Sequence, residues 1–288
     1  MPGPSEREWS LIGFTLLSQT AVGAFWTVAA AFLMTDRRQG LLENRVFTIP
    51  FLAAVLALLG LAATVSLSHL GRPGRAPSAL FNLRRSWLSR EILFELAFIF
   101  LVLSLAVLRY QGRETAPLFR ALVLASAAAG LLFLHSMSRL YMLRTVPAWR
   151  GLHTPLSFFA SALLLGPLGV LAVRGVLFDF PGSLHAFQRT AGLVSLAAVL
   201  LILLTVLFFT PRAGVFGAKT ETLRDLPEPR IYPLLAFRLL YLGTALLFVF
   251  LFQRSQNSGY VLLAFICAAV SEILGRYLFF ALYGRIGV

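Results

Sequence analysis

The chain has 288 residues, of which 58% are hydrophobic and only 13% charged, with a mean hydropathy of +0.82. Soluble domains carry about 25% charged residues, so a water-soluble globular protein is excluded. Spans of roughly 20 residues joined by short connections consume nearly the whole length, which leaves no room for a soluble catalytic domain. The net charge of +13 does not indicate nucleic acid, because the basic residues lie in short loops between apolar runs.

Taken in chain order, the apolar runs predict eight transmembrane helices at 10–34, 46–70, 91–110, 116–143, 154–176, 185–210, 231–253 and 259–283. Each run is continuously apolar and not alternating, which favours helices over a barrel. The expectation is an all-α polytopic membrane protein forming one membrane domain over 1–288, with no internal sequence repeat. The first run is too long for the apolar core of a cleaved signal peptide, and the stretch from Met1 to Trp9 is not basic. Between the second and third runs, GRPGRAPSALFNLRRSWLSR is the longest basic connection. Gly71, Pro73, Gly74 and Pro77 stop the helix there, and Trp87 suits a membrane–water boundary.

The loops on one side carry nine basic residues and those on the other side fifteen, with Arg238 inside the seventh span. By the positive-inside tendency, the richer side is cytoplasmic. Both termini and the loop 71–90 are expected there.

The polar residues then crowd toward that same face. His69 ends the second run, Glu91 begins the third with Glu95 one turn deeper, and His135, Arg139 and Tyr141 end the fourth. His153 precedes the fifth run, and Glu272 and Arg276 lie toward the end of the eighth. Only His185 among the histidines falls at the other face. Charge near lipid is expensive and marks a pathway, a pair or a docking surface. Glu272 and Arg276 have the i,i+4 spacing of a pair on one helix side, as do His135 and Arg139. Arg238 needs an acidic or carbonyl partner, for which Glu95 is a candidate. No histidine–carboxylate cluster has metal-ligand spacing. His135 has no second imidazole at matching depth for a haem. The single Cys267 cannot hold an iron–sulfur cluster and reads as a core residue.

The segments EWSLIGFTLLSQTAVGAF, SHLGRPGRAPSALFNLRRSWLSREIL, SRLYMLRTVPAW followed by TPLSFF, and SEILGRYLFF occur in this order along nearly the full length. In combination they resemble the membrane-anchor subunit of dimethyl-sulfoxide-reductase-type enzymes, the DmsC family. That family is similar in arrangement to polysulfide-reductase-type anchors, which also use eight helices. The resemblance implies a multi-pass protein of the bacterial inner (cytoplasmic) membrane. It implies two partners, a four-cluster iron–sulfur subunit and a molybdopterin catalytic subunit. It also implies electron exchange between the nearest cluster and the quinone pool, with menaquinone the expected quinone. No haem, iron–sulfur cluster or molybdenum is expected in this protein.

The same resemblance assigns residues. His69 matches the motif histidine tied to menaquinol oxidation, Gly71 the motif glycine, and Glu91 a glutamate tied to quinol use. Arg139 and Tyr141 match an R-x-Y element; Glu272, Gly275 and Arg276 match an E-x-x-G-R element. The arginine-rich run Arg84–Arg85 departs from the family pattern. Arg72, Arg75, Arg84, Arg85, Arg144 and Arg150 are expected to present a basic docking platform to the iron–sulfur partner. Chemically, a quinone headgroup needs a hydrogen-bond donor, a base and apolar walls, and His69 with Glu91 offers the proton-handling side.

Two other readings stay open on the residues alone. Glu95, Arg238, Glu272 and Arg276 would also suit a transporter or channel, and a purely structural anchor would leave the histidine and glutamate dispensable.

Overall fold

The computed structural model describes residues 6–34, 45–68, 82–113, 115–143, 146, 149–177, 185–209 and 228–281. Among them are eight helices and no strand: α1 (Glu6–Met34), α2 (Arg45–Ser68), α3 (Trp87–Gln111), α4 (Ala116–Tyr141), α5 (His153–Leu177), α6 (His185–Phe209), α7 (Glu228–Ser255) and α8 (Ser258–Ala281). All eight are long and apolar enough to cross a membrane, as the continuous apolar runs predict. The main boundary correction is in α3, which starts at Trp87 and not at 91. Ser86 is its N-cap, extended at φ −110° and ψ 121°, with its side chain accepting from the Ser89 amide. A serine cap satisfies one orphan donor of the first turn, and the early start carries Glu91 inside the helix.

The helices pack as two four-membered rings. α1–α2, α2–α3, α3–α4 and α4–α1 close the first; α5–α6, α6–α7, α7–α8 and α8–α5 close the second. The packing order of the first ring therefore recurs in the second, although the sequence shows no repeat. α1–α5, α1–α8 and α4–α5 contacts join the rings. The neighbours α1 and α5 touch backbone to backbone: a Cβ on Gly23 would lie 1.9 Å from the Ala162 carbonyl oxygen, and one on Gly166 would lie 2.1 Å from the Gly23 carbonyl carbon. Small residues that allow such approach are a main source of helix association in lipid, where no hydrophobic driving force exists. Trp26 reinforces the joint, stacking on Phe159 of α5 at 6.1 Å and donating to the Ala127 carbonyl of α4 at 3.0 Å.

Two membrane faces follow from the contacts. On one, Trp9 at the start of α1 meets Tyr277 late in α8, and Trp87 at the start of α3 meets His135 late in α4. On the other, Phe32 late in α1 and Arg109 late in α3 meet Phe119 at the start of α4. We call these the Trp9 face and the Arg109 face.

The α1–α5 contact yields a direct test. Gly166→Val puts three carbons where backbone stands, and overpacking costs about 1–3 kcal/mol or more. The variant is expected to lose thermal stability in detergent, whereas Gly60→Val in α2, where a Cβ meets nothing within 4 Å, is expected to melt like the parent.

Candidate functional site

The densest polar cluster lies inside the bundle, below the Trp9 face. Arg276 of α8 donates from Nη2 to Gln19 Oε1 of α1 at 3.0 Å and to Ser161 Oγ of α5 at 3.2 Å. Ser161 in turn donates to the Glu272 carboxylate. Glu272 pairs with Arg238 of α7 at 3.6 Å, and Ser271 donates to the Arg238 carbonyl at 3.1 Å. The Gln19 amide points at Met137 Sδ of α4, 3.9 Å away. Five helices from both rings are thus tied by one series of polar contacts. At 1.5 Å per residue, its members sit about 6 to 20 Å below the helix ends.

This geometry corrects two pairings expected from spacing. Glu272 and Arg276 are not directly paired along α8; Ser161 stands between them, and the ion pair runs across helices to Arg238. Glu95 is not the partner of Arg238. Gly275 has a specific reason to be glycine: a Cβ there would lie 2.6 Å from the Arg238 guanidinium carbon. The E-x-x-G-R element is therefore the bed on which Arg238 lies.

Arg276 is also stacked, its guanidinium carbon 3.7 Å from the Phe158 ring centroid. Cation–π contact offsets part of the cost of a desolvated charge. Phe158 is one wall of an aromatic box around Tyr141, whose ring lies 5.6 Å from Phe158, 5.8 Å from Trp149, 5.9 Å from Phe279 and 5.4 Å from Phe280. Trp149 stacks on Phe279 at 5.1 Å and donates to its carbonyl at 2.7 Å. Tyr141 interacts electrostatically with both Arg276 and Glu91. Glu91 is 2% exposed, and its Oε1 is buried with no hydrogen-bond partner. Glu95, one turn deeper on the same helix, also leaves a buried Oε1 unpartnered.

The R-x-Y element splits. Two residues subtend about 200° on a helix, so Tyr141 points into the bundle while Arg139 faces outward. Arg139 and Arg90 both lie over the Trp87 ring, at 5.2 and 4.3 Å, and His135 meets it edge-on. Arg139 therefore belongs to an interfacial cluster on the outer wall and not to the Tyr141 box. Arg90 also donates to the carbonyls of Leu83 and Arg84, both at 2.8 Å, which holds out the turn bearing Arg84 and Arg85. Both of these arginines are exposed, as is Arg150. His69, Gly71, Arg72, Arg75 and Arg144 lie outside the described residues.

Of the assigned residues, the structure gathers Glu91, Tyr141, Glu272, Gly275 and Arg276. Sequence reasoning missed Gln19, Ser161, Trp149 and Phe158 as members. Gln19 carried a usable signal, an amide in the middle of an apolar span, since polar side chains glue membrane helices. Serine and phenylalanine are too common in spans to stand out. All four nonetheless fall in or beside the segments that carry the family resemblance.

Ser161 is the test of the network. Removing a hydrogen bond to a buried charged group costs about 1.5–3 kcal/mol. Ser161→Ala removes two, so its melting temperature should fall well below that of Ser157→Ala, which loses only a bond to the Thr154 carbonyl.

Comparison with known proteins shows the family. The DMSO reductase anchor subunit (DmsC) family matches residues 3–282. The C subunit of the anaerobic dimethyl sulfoxide reductase of Escherichia coli is 28% identical over 297 residues, covering 99% of this protein and 98% of the relative. Its counterpart of the same name in Haemophilus influenzae is 25% identical over 281 residues, covering 98% and 96%. The anaerobic dimethyl sulfoxide reductase polypeptide YnfH of E. coli is 26% identical over 291 residues, covering 99% and 98%. A family match across nearly the full length, on eight helices long and apolar enough to cross a membrane, makes this protein a multi-pass membrane member of the DMSO reductase anchor subunit (DmsC) family.

Proposed function

We propose that this protein is the membrane-anchor and quinone-interacting subunit of a molybdopterin oxidoreductase complex, exchanging electrons between the quinone pool and an iron–sulfur subunit. The observation that carries the reading is the free, buried carboxylate oxygen of Glu91 within electrostatic reach of Tyr141, which in turn adjoins Arg276. A quinone headgroup needs a proton acceptor, a donor to its carbonyl and apolar walls. Glu91 offers the first, the Tyr141 hydroxyl the second, and the surrounding aromatic rings the third. Quinone is an exchangeable substrate, with menaquinone the expected type, and it supplies the redox chemistry. The protein orients the headgroup and moves its protons. His69 follows Ser68, the described end of α2, directly in sequence and is assigned the second proton-handling role. The network around Glu272 holds the helices together and fixes Arg276 behind the site.

The transporter reading loses ground on geometry. Transporters place substrate near the midplane between repeats, but here α1 and α5 are in backbone contact at Gly23 and Gly166, about 20 Å below the Trp9 face by helical rise.

Electron entry and terminal chemistry are separable in this scheme. His69→Ala should abolish electron exchange with quinol in a complex that still assembles, and Glu91→Gln should slow it by about a hundredfold. A soluble artificial carrier should still drive the catalytic subunit in both. Normal quinol-linked rates in either assembled variant would remove that residue from the site.

The iron–sulfur subunit is assigned to the basic Trp9 face, on the turn that Arg90 holds out. Reversing Arg84 and Arg85 together to Glu should lower the yield of co-purified partner, and raised salt should loosen the parent complex by screening. Equal recovery of the partner from the double variant would instead assign these arginines to lipid phosphate.

A further inference from the structure

Building on the quinone reading, on which the assignment rests, we propose that Glu91 and Glu95 work as one proton-holding pair. Glu91 exchanges a proton with the headgroup, and Glu95 governs when Glu91 is ionised. The two are four residues apart on α3, so their side chains share one side of the helix. Each leaves a buried Oε1 without a hydrogen-bond partner. Neither forms an ion pair with a described residue, while they interact with one another. Glu91 is thus a nearly fully buried carboxylate whose Oε1 has no hydrogen-bond partner, within electrostatic reach of Tyr141.

The surroundings leave the pair to settle its own charge. From α4, Tyr141 is within electrostatic reach of Glu91, whereas His135 and Arg139 are turned to Trp87. Arg276 lies behind Tyr141 and is engaged by Gln19 and Ser161. α2 has no ionisable side chain between Val46 and Ser68, and α1 none between Trp9 and Leu33. Two carboxylates this close, in a medium of low dielectric and with no countercation paired to them among the described residues, do not both ionise. In this scheme the resting pair holds one proton and one negative charge.

Quinol oxidation releases two electrons and two protons. Both electrons pass to oxidised iron–sulfur centres of the partner subunit. One proton neutralises the singly charged pair and the other leaves to water at the Trp9 face. The pair then discharges its extra proton to the same water and returns to its resting state. Quinone reduction runs the sequence backwards. Glu95 is a positioning residue, acting on the headgroup only through Glu91.

The experiment uses the purified complex and a short-tailed naphthoquinol, with cluster reduction followed by electron paramagnetic resonance across a range of pH. Dithionite-reduced spectra normalise for cluster content. Glu95→Gln is expected to slow cluster reduction by about tenfold and to shift the acid limb of the rate–pH profile. Glu95→Asp should restore most of the rate and the profile, which a packing role for the longer side chain would not allow. Infrared difference spectra between the oxidised and quinol-reduced complex should show a protonated-carboxyl band that Glu91→Gln and Glu95→Gln each alter. A parental rate and profile in Glu95→Gln, beside a slow Glu91→Gln, overturns the pair and leaves the quinone reading standing. Parental rates in both variants overturn that reading itself. Should Glu95→Gln fail to assemble, Glu95→Asp and the infrared bands decide, and an Asp variant as slow as an unassembled one counts against the proposal.

Discussion

The backbone contact between α1 and α5 is the constraint on which the rest depends. Gly23 and Gly166 bring the two helices closer than any side chain permits. Gln19 stands one turn before Gly23 on α1, and Ser161 adjoins Ala162, the residue whose carbonyl meets Gly23. The close approach is therefore what places an amide and a hydroxyl, one from each ring, within reach of a single guanidinium. With ordinary side chains at the crossing the helices would stand apart, and Arg276 would face hydrocarbon with its donors unanswered. Packing comes first here, and the electrostatics are built on it.

The network shows how a membrane protein holds more cations than anions in one place. Arg238 and Arg276 share the single carboxylate of Glu272, one directly and one through Ser161. A buried ion pair does not by itself stabilise a fold, because desolvation offsets attraction. Each group here is therefore answered several ways: Arg276 by two neutral acceptors and a ring face, Arg238 by the carboxylate and the space left at Gly275. Glu91 stands in contrast. It is equally buried, but whereas Glu272 keeps the Arg238 ion pair and the Ser161 hydrogen bond although its Oε1 accepts none, Glu91 has neither with a described residue, and such a buried acid is a candidate for function more than for packing.

Much of this was legible in the sequence. Eight continuous apolar runs gave eight helices, and counting them placed Glu91, His135, Arg139, Tyr141, Glu272 and Arg276 toward one face, the one marked by the contacts between Trp9 and Tyr277 and between Trp87 and His135. Which side of a helix a residue takes was harder. Arg139 and Tyr141 are near neighbours in the sequence but part company across α4, because helical phase separates them. Partner choice was harder still: spacing on α8 suggested a pair within one helix, whereas the actual pair depends on how α7 docks against α8. The recurrence of the ring packing was invisible, since packing order can be preserved while side chains diverge.

The order in which the polar network is delivered bears on how the protein is made. Translation supplies α1 and α4 first, so the Gln19 amide has only the Met137 sulfur to answer it until α8 arrives with Arg276. α7 then brings Arg238 into the membrane before α8 brings Glu272. A polypeptide stalled between these two helices carries a guanidinium in lipid with no countercharge, at a cost of several kcal/mol. Arrival of α8 removes that penalty in one step, supplying both the missing anion and the second cation. The intramembrane charges thus distinguish a half-inserted polypeptide from a finished one, and give the last described helix a strong reason to dock.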